Sequence, residues 1–285
     1  MVTSETEPVP SLVDPVMIAA FEGWNDAGES ATGVIDHLLV EWDAVLIGEV
    51  EPDDYYDYQV NRPTVAFDDD DERTITWPTT RMYVARPLGS ERDLLLVRGI
   101  EPNLKWRQFC DELLDLADQV GASMIVTIGA LLADTPHTRP VPLSGQVSGH
   151  EMDETFGVER SRYEGPTGIT GVFTDAATRR DIPCASLWAA VPHYVAQPPC
   201  PKATLALLGR LEEMLDVSIS VADLEEQARA WEETVDELAR EDGEIAEYVE
   251  SLERARDSSD LPEASGEAIA REFERYLKRR HPGAD

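Results

Sequence analysis

Short apolar runs recur between segments of helical periodicity, and this alternation constrains the fold more than any other feature of the sequence. VMIAAF (16–21), AVLIGEV (44–50), TRMYVAR (80–86), DLLLVRG (93–99), SMIVTIGALL (123–132) and GITGVFT (168–174) each have the length and residue types of a strand. Several are apolar at successive positions, as strands covered on both faces are. Between them, residues 27–39 and 104–120 place apolar residues at helical spacing. In the second segment Leu104, Trp106, Phe109, Leu113, Leu114, Leu116 and Ala117 line one side, and Gly121 marks the stop. The pattern predicts an α/β sandwich around a mostly parallel or mixed sheet, where sites collect at the ends of strands.

The rest of the chain divides around this body. Residues 1–14 are expected to be a flexible N-terminus, 15–218 the α/β domain, and 219–285 an acidic helical extension. In the extension Val221, Leu224, Ala228, Trp231, Val235 and Leu238 form a heptad seam that Ile245, Val249 and Leu252 resume after Asp242-Gly243. Residues 221–260 hold 15 acids against 4 arginines. The interruption at Glu-Asp-Gly-Glu reads as a hairpin turn or as a weak point in one helix, and a last amphipathic helix is expected at 266–279. Within the body, EPDDYYDY (51–58) and DDDDE (68–72) read as acidic loops; the second lacks calcium-loop spacing. The proline-rich stretches 134–145 and 192–201 are too irregular for a helix or a central strand.

A formal net charge of −33 opposes binding to phosphate backbones and anionic lipid, so neither nucleic acid nor membrane is an expected partner. The start of the chain has no basic segment followed by an apolar one, and no apolar run approaches the ~18 residues of a membrane span. A cytoplasmic protein is expected. Cys110, Cys184 and Cys200 are scattered, and His137, His150 and His193 do not cluster. No disulfide framework, metal or cofactor is expected.

Three constellations could carry chemistry. GWNDAGES (23–30) has the glycine spacing of a phosphate-cradling loop, but Glu29 stands where that loop needs a cation. Gly28 to Gly33 is one residue too long for a nucleophile elbow, which argues against Ser30 as a nucleophile. Asp26 instead reads as a helix cap, with Glu29 completing a capping box. That leaves Glu22, Trp24 and Asn25, with Asp26 beside them, to face a cleft or a neighbouring subunit. The second group, Asp134, His137 and Arg139, follows the strongest strand and could serve acid–base or anion chemistry, or could brace a proline-rich crossover through an Asp134–Arg139 pair. The third, His193 and Tyr194, ends the run SLWAAVP and reads as structural. No catalytic residue is assigned; these nine residues are the candidate pocket or interface.

Several segments in order, FEGWNDAG (21–28), LLADTPHTRPVP (131–142), YEGPTGITGV (163–172) and SLWAAVPHYVAQPPCPKATLALL (186–208), resemble the bacterial branch of the proteasome assembly chaperone family, of the second chaperone type. The resemblance implies a three-layer α/β/α sandwich with a mixed, mostly parallel sheet, similar to phosphorylase- and hydrolase-like folds, with acidic C-terminal helices attached. It also implies a homo-oligomer, a trimer among the options, and a protein partner. Docking on the proteasome in this family uses a hydrophobic–Tyr–any tail, but this chain ends His281-Pro282-Gly283-Ala284-Asp285, with Ala284 at the tyrosine position. Tail docking is therefore not carried over. The expected function is that of a non-enzymatic, oligomeric, protein-binding protein. The alternative is a small-molecule hydrolase or nucleosidase-like enzyme whose cleft the three constellations would form at the strand ends.

Overall fold

A computed structural model describes residues 2–3, 11–68, 71–148, 159–160, 163–195 and 197–260. The expected helix at 266–279 and the chain end lie outside the described residues. The centre of the molecule is β2 (Val16–Glu22), whose first six residues alternate between two cores. Val16, Ile18 and Ala20 face one apolar cluster, and Met17, Ala19 and Phe21 face the other. Side chains on a strand point to opposite faces in turn, so a strand apolar throughout must be covered on both sides.

Around it stand β3 (Val45–Val50), β6 (Arg81–Ala85), β7 (Leu94–Ile100), β8 (Met124–Ala133), β9 (Leu143–Ser148) and β11 (Cys184–Pro192). With the short β1 (Val2–Thr3) and β10 (Glu159–Arg160), they form a nine-stranded sheet of order β1-β3-β6-β7-β2-β8-β11-β9-β10. The central run β7-β2-β8-β11 is parallel. Antiparallel pairings flank it at β3–β6, β6–β7 and β9–β11.

Helices cover both faces, giving the three-layer sandwich. On the Val16 face lie α1 (Ser30–Glu41) and α4 (Pro201–Leu215). On the Met17 face lie α2 (Trp106–Val120) and α3 (Ile169–Arg179). Phe21 is the keystone of the second layer, meeting Phe109 at 5.8 Å and Phe173 at 6.2 Å in edge-to-face contacts. α2 stops at Gly121 in a left-handed conformation, φ 71°, as its position predicts.

Two local expectations change, and one left open is decided. GITGVFT is the first half of α3, not a strand: Ile169, Phe173 and Ala177 are buried four residues apart, a helical spacing that continues past the β-branched run. The acidic segment 51–58 places Tyr55 and Tyr56 in the core, and β4 (Thr64–Phe67) and β5 (Arg73–Thr76), on either side of the second acidic segment, pair as a two-stranded ribbon. Among the described residues the acidic extension forms two helices, α5 (Ala222–Glu241) and α6 (Gly243–Asp260), separated by Asp242 in an extended conformation, and of the two readings of this interruption the hairpin turn holds. Along one straight helix Asp236 and Glu253 would sit about 25 Å apart, yet they bind the successive residues His137 and Thr138. The chain therefore turns back. Val221, Leu224, Ala228, Val235 and Val249 of the seam are buried, whereas Leu238 is exposed and its neighbour Ala239 is buried in its stead.

Truncating Phe21 to Ala removes both aromatic contacts and opens a cavity at the centre of the sheet. A loss of about 3–5 kcal/mol is expected, read as a lower urea midpoint; a cost under 1 kcal/mol would show that the second layer is not built on this ring.

Candidate functional site

The strands β2, β7, β8 and β11 all end on one edge of the sheet, and the nine candidate residues lie along it. The loop after β2 is held tightly. The Asn25 carbonyl accepts the Ala130 N–H at 2.8 Å, tying the loop to β8. Gly28 has φ 63°, and its carbonyl accepts the Cys200 N–H at 2.8 Å. A Cβ on Gly28 would fall 2.7 Å from the Cys200 Cβ, so this glycine supplies both a left-handed turn and a close approach of α4.

Asp26 does cap α1, but from a distance. Its Oδ1 accepts the Ala31 N–H at 2.6 Å and the Thr32 N–H at 3.3 Å, while Oδ2 accepts the Thr32 hydroxyl. No capping box forms: a short 3-10 turn, Ala27–Glu29, intervenes, and Glu29 sits exposed at φ 50°. Burial pushes the Asp26 carboxyl up, and the Thr32 and Ala31 hydrogen bonds oppose that shift. Asn25 is 1% exposed; its Nδ2 donates to Glu101 Oε1 at 2.8 Å, and the same oxygen accepts the Ile169 N–H at 2.8 Å. Glu101 thus joins the ends of β2 and β7 to the N-terminus of α3, where a carboxylate is favoured. Glu22 pairs with Arg98, which also binds Asp36 at 2.7 Å. Of this group Trp24 alone projects into solvent, at 65% exposure.

The other five residues meet the acidic helices. His137 is 2% exposed. Its backbone N–H donates to the Tyr194 hydroxyl at 2.7 Å; that hydroxyl lies 2.8 Å from Nδ1, and Nε2 lies 3.0 Å from Asp236 Oδ1 on α5. The arrangement is satisfied when Tyr194 donates to Nδ1 and the Nε2–H donates to Asp236. Arg139 forks onto Asp257 of α6 through two 2.8 Å bonds and reaches Glu253 at 3.2 Å. Asp134 accepts from Tyr248 of α6 at 3.1 Å and lies 3.3 Å from His193 Nδ1. Arg139 therefore pairs with α6 and not with Asp134. Lys202 of α4 donates to the His137 carbonyl and binds Glu232 of α5 at 2.6 Å. His193, Tyr194 and Tyr248 pack edge to face, with centroids 5.4 to 6.1 Å apart.

The sequence of groups Tyr194, His137, Asp236 has the order and the hydrogen-bond lengths of a catalytic relay, but its hydroxyl is not free. The Tyr194 hydroxyl accepts the His137 N–H while it faces the buried imidazole, and burial pushes it up to about 12, the opposite of the lowering that activates a nucleophile. Two surface grooves lie nearby. One, about 520 Å³, runs between α1 and the starts of α4 and α5 and includes Glu29, Asp36 and His37. The other, about 280 Å³, includes Tyr194 and Val235 at the α5–α6 elbow. Neither is lined by both groups of candidates. Among the described residues no three His, Cys, Asp or Glu side chains gather as a metal site, and no helix is long and apolar enough to cross a membrane.

Residues 20–239 match the model of the PAC2 family. The chain belongs to the PAC2 family. It is similar, at 56% identity, to a PAC2 family protein from Streptomyces avermitilis, with a TM-score of 0.78 over 83% of this chain and 100% of that one. It is similar, at 52% identity, to a proteasome-assembly chaperone homologue from Mycobacterium tuberculosis, with a TM-score of 0.76 over 82% and 99%. An archaeal proteasome activator from Pyrococcus furiosus shares 18% identity and a TM-score of 0.66 over 84% and 98%, a likeness of fold alone. No match is found among curated proteins.

In this PAC2 chain, sequence reasoning missed Glu101, which no local pattern marks, and the partners Asp236, Glu253 and Asp257. Those three had a signal: an acidic helical pair follows a body whose proline-rich loop carries Arg139, and whose α4 carries one of only three lysines, Lys202.

Two outcomes are expected. Gly28→Ala should lower stability by about 1–3 kcal/mol through left-handed strain and the clash with Cys200, read by thermal melting; a neutral result would contradict the close approach. The Arg139 guanidinium holds the Asp257 carboxyl below its ordinary 3.8. A depressed carboxylate stabilises the docked state above the unfolded value, and that contribution is lost as pH falls through the folded one. NMR titration of Asp257 should give a midpoint below 3.8 in the wild type and a return toward it in Arg139→Ala.

Proposed function

We propose that the protein is a non-enzymatic, protein-binding assembly factor that acts as a homo-oligomer in the cytoplasm. The observation that carries this reading is the engagement of the strand-end groups. Of the residues best suited to chemistry, His137 and Arg139 are bound to the chain's own helices, and the Tyr194 hydroxyl is bound to His137. A small-molecule enzyme of this fold needs such groups free at the edge where the strands end. The relative from Mycobacterium tuberculosis, 52% identical, is described as a proteasome-assembly chaperone homologue, which supports a partner of that kind.

In this reading the α/β body of residues 15–218 supplies contacts between copies, and the acidic part, 219–285, faces the partner. The outward sides of α5 and α6 present Glu225, Glu226, Glu233, Glu237, Glu247 and Glu250, all exposed. Such a surface suits a basic patch and steers association from a distance.

Co-expression of the full chain with proteasome subunits, followed by affinity capture, tests the reading. Capture that weakens as salt rises is expected, because exposed charges are screened within about 8–10 Å. Failure to capture any subunit would remove the assembly role. A metabolite that stabilises the protein by about 2.7 kcal/mol at a hundredfold excess over its dissociation constant would instead favour a small-molecule site.

A further inference from the structure

The ribbon of β4 and β5 stands apart from the nine-stranded sheet, and all eight of its strand residues are exposed. Its pairing sets Val65 opposite Ile75 and Phe67 opposite Arg73. Because side chains alternate, Val65, Phe67, Ile75 and Arg73 share one face, and Trp77 continues that face beyond β5. The other face carries Thr64, Ala66, Thr74 and Thr76. The apolar face is bare: Phe67 is 65% exposed, Val65 51%, and Ile75 and Trp77 each 46%. A two-stranded ribbon is marginal in water without a cover. Tyr58, 4.7 Å from Trp77 between ring centroids, anchors its base.

Charge identifies the cover. Arg73 is the one charged side chain on the apolar face, and it forms no ion pair among the described residues. A complementary surface is apolar and acidic. Two ribbons meeting face to face would oppose one arginine with another. The chain offers the required surface elsewhere, at the corner where α1 ends and β3 begins. There Val40 of α1 and Leu46, whose partner Tyr83 packs on the core that α1 covers, are 80% and 50% exposed, beside the exposed carboxylates of Glu41 and Asp43.

We propose that the apolar face of the β4–β5 ribbon docks on the α1–β3 corner of a second copy of this chain. Two different patches then meet, so the contact is head to tail, the kind that builds a ring where the rotation between copies closes. The inference rests on the oligomeric part of the proposed function and names its surface.

Native mass spectrometry and sedimentation of the full chain test it. The wild type should run at a multiple of 31.6 kDa. Phe67→Asp with Ile75→Asp should shift the half-dissociation concentration upward by roughly 30-fold or more, as should Leu46→Asp at the corner. Arg73→Glu should weaken assembly, and adding Asp43→Arg should restore it. All these positions are exposed, so unchanged melting by circular dichroism verifies that each variant folds. A monomeric wild type, or an unchanged mass in both the ribbon and corner variants, overturns the proposal. So does a ribbon variant that keeps its mass but loses capture of proteasome subunits, which would place a foreign partner on this face. A wild-type multimer that captures no subunit would sink the assembly role and leave this contact standing.

Discussion

A buried imidazole must have both ring nitrogens satisfied, or the cost of desolvating them falls on the fold. At His137 those partners are the Tyr194 hydroxyl from the end of β11 and the Asp236 carboxylate from α5. One side chain therefore joins the edge of the sheet to the acidic helices. The rest of the clamp is arranged around it: Lys202 binds the His137 carbonyl and Glu232, while the two residues after His137 bind Glu253 and Asp257. An ion pair at a surface is worth little alone. These pairs share partners and border a buried ring, and that is what makes them a joint and not a scatter of contacts.

The same joint explains how such an acidic pair of helices stays folded back. Residues 221–260 carry 15 acids and 4 arginines, so α5 and α6 repel each other across their exposed faces. Their attachment comes from apolar contacts, with Val235 and Val249 of the seam and the adjacent Ala239 buried, and from the cations that the body extends to them. The price of this arrangement is that Arg139 and Lys202 are not available to a substrate. Architecture of the α/β kind sets these residues at the edge where enzymes of this class work, and the added helices close that edge.

Much of this was legible in the residues. A strand that is apolar at every position, as at 16–21, demands two covering layers, and both are present. The turn at 23–30 was legible as a capped strand-to-helix junction, though not the 3-10 turn that displaces Asp26 from the helix it caps. The α3 segment misled because Ile169, Thr170, Val172 and Thr174 favour strands locally, and only packing on Phe21 and Glu101 decides for helix. The long-range pairs were not legible. Nothing within a few residues of His137 announces Asp236, ninety-nine positions away. Asn25 and Glu22, which looked available for a cleft, are bound to Glu101 and Arg98 for the same reason.

The strand-end cluster is a joint between the body and the acidic helices. Hydrogen exchange on the full chain, comparing the wild type with a His137→Ala, Arg139→Ala double variant, tests it directly. Amides of α6 and the second half of α5 should lose protection at least about tenfold, the scale of 1.4 kcal/mol, while β2 and β8 keep theirs. Equal protection in the two proteins, or a uniform loss across the sheet as well, would contradict it.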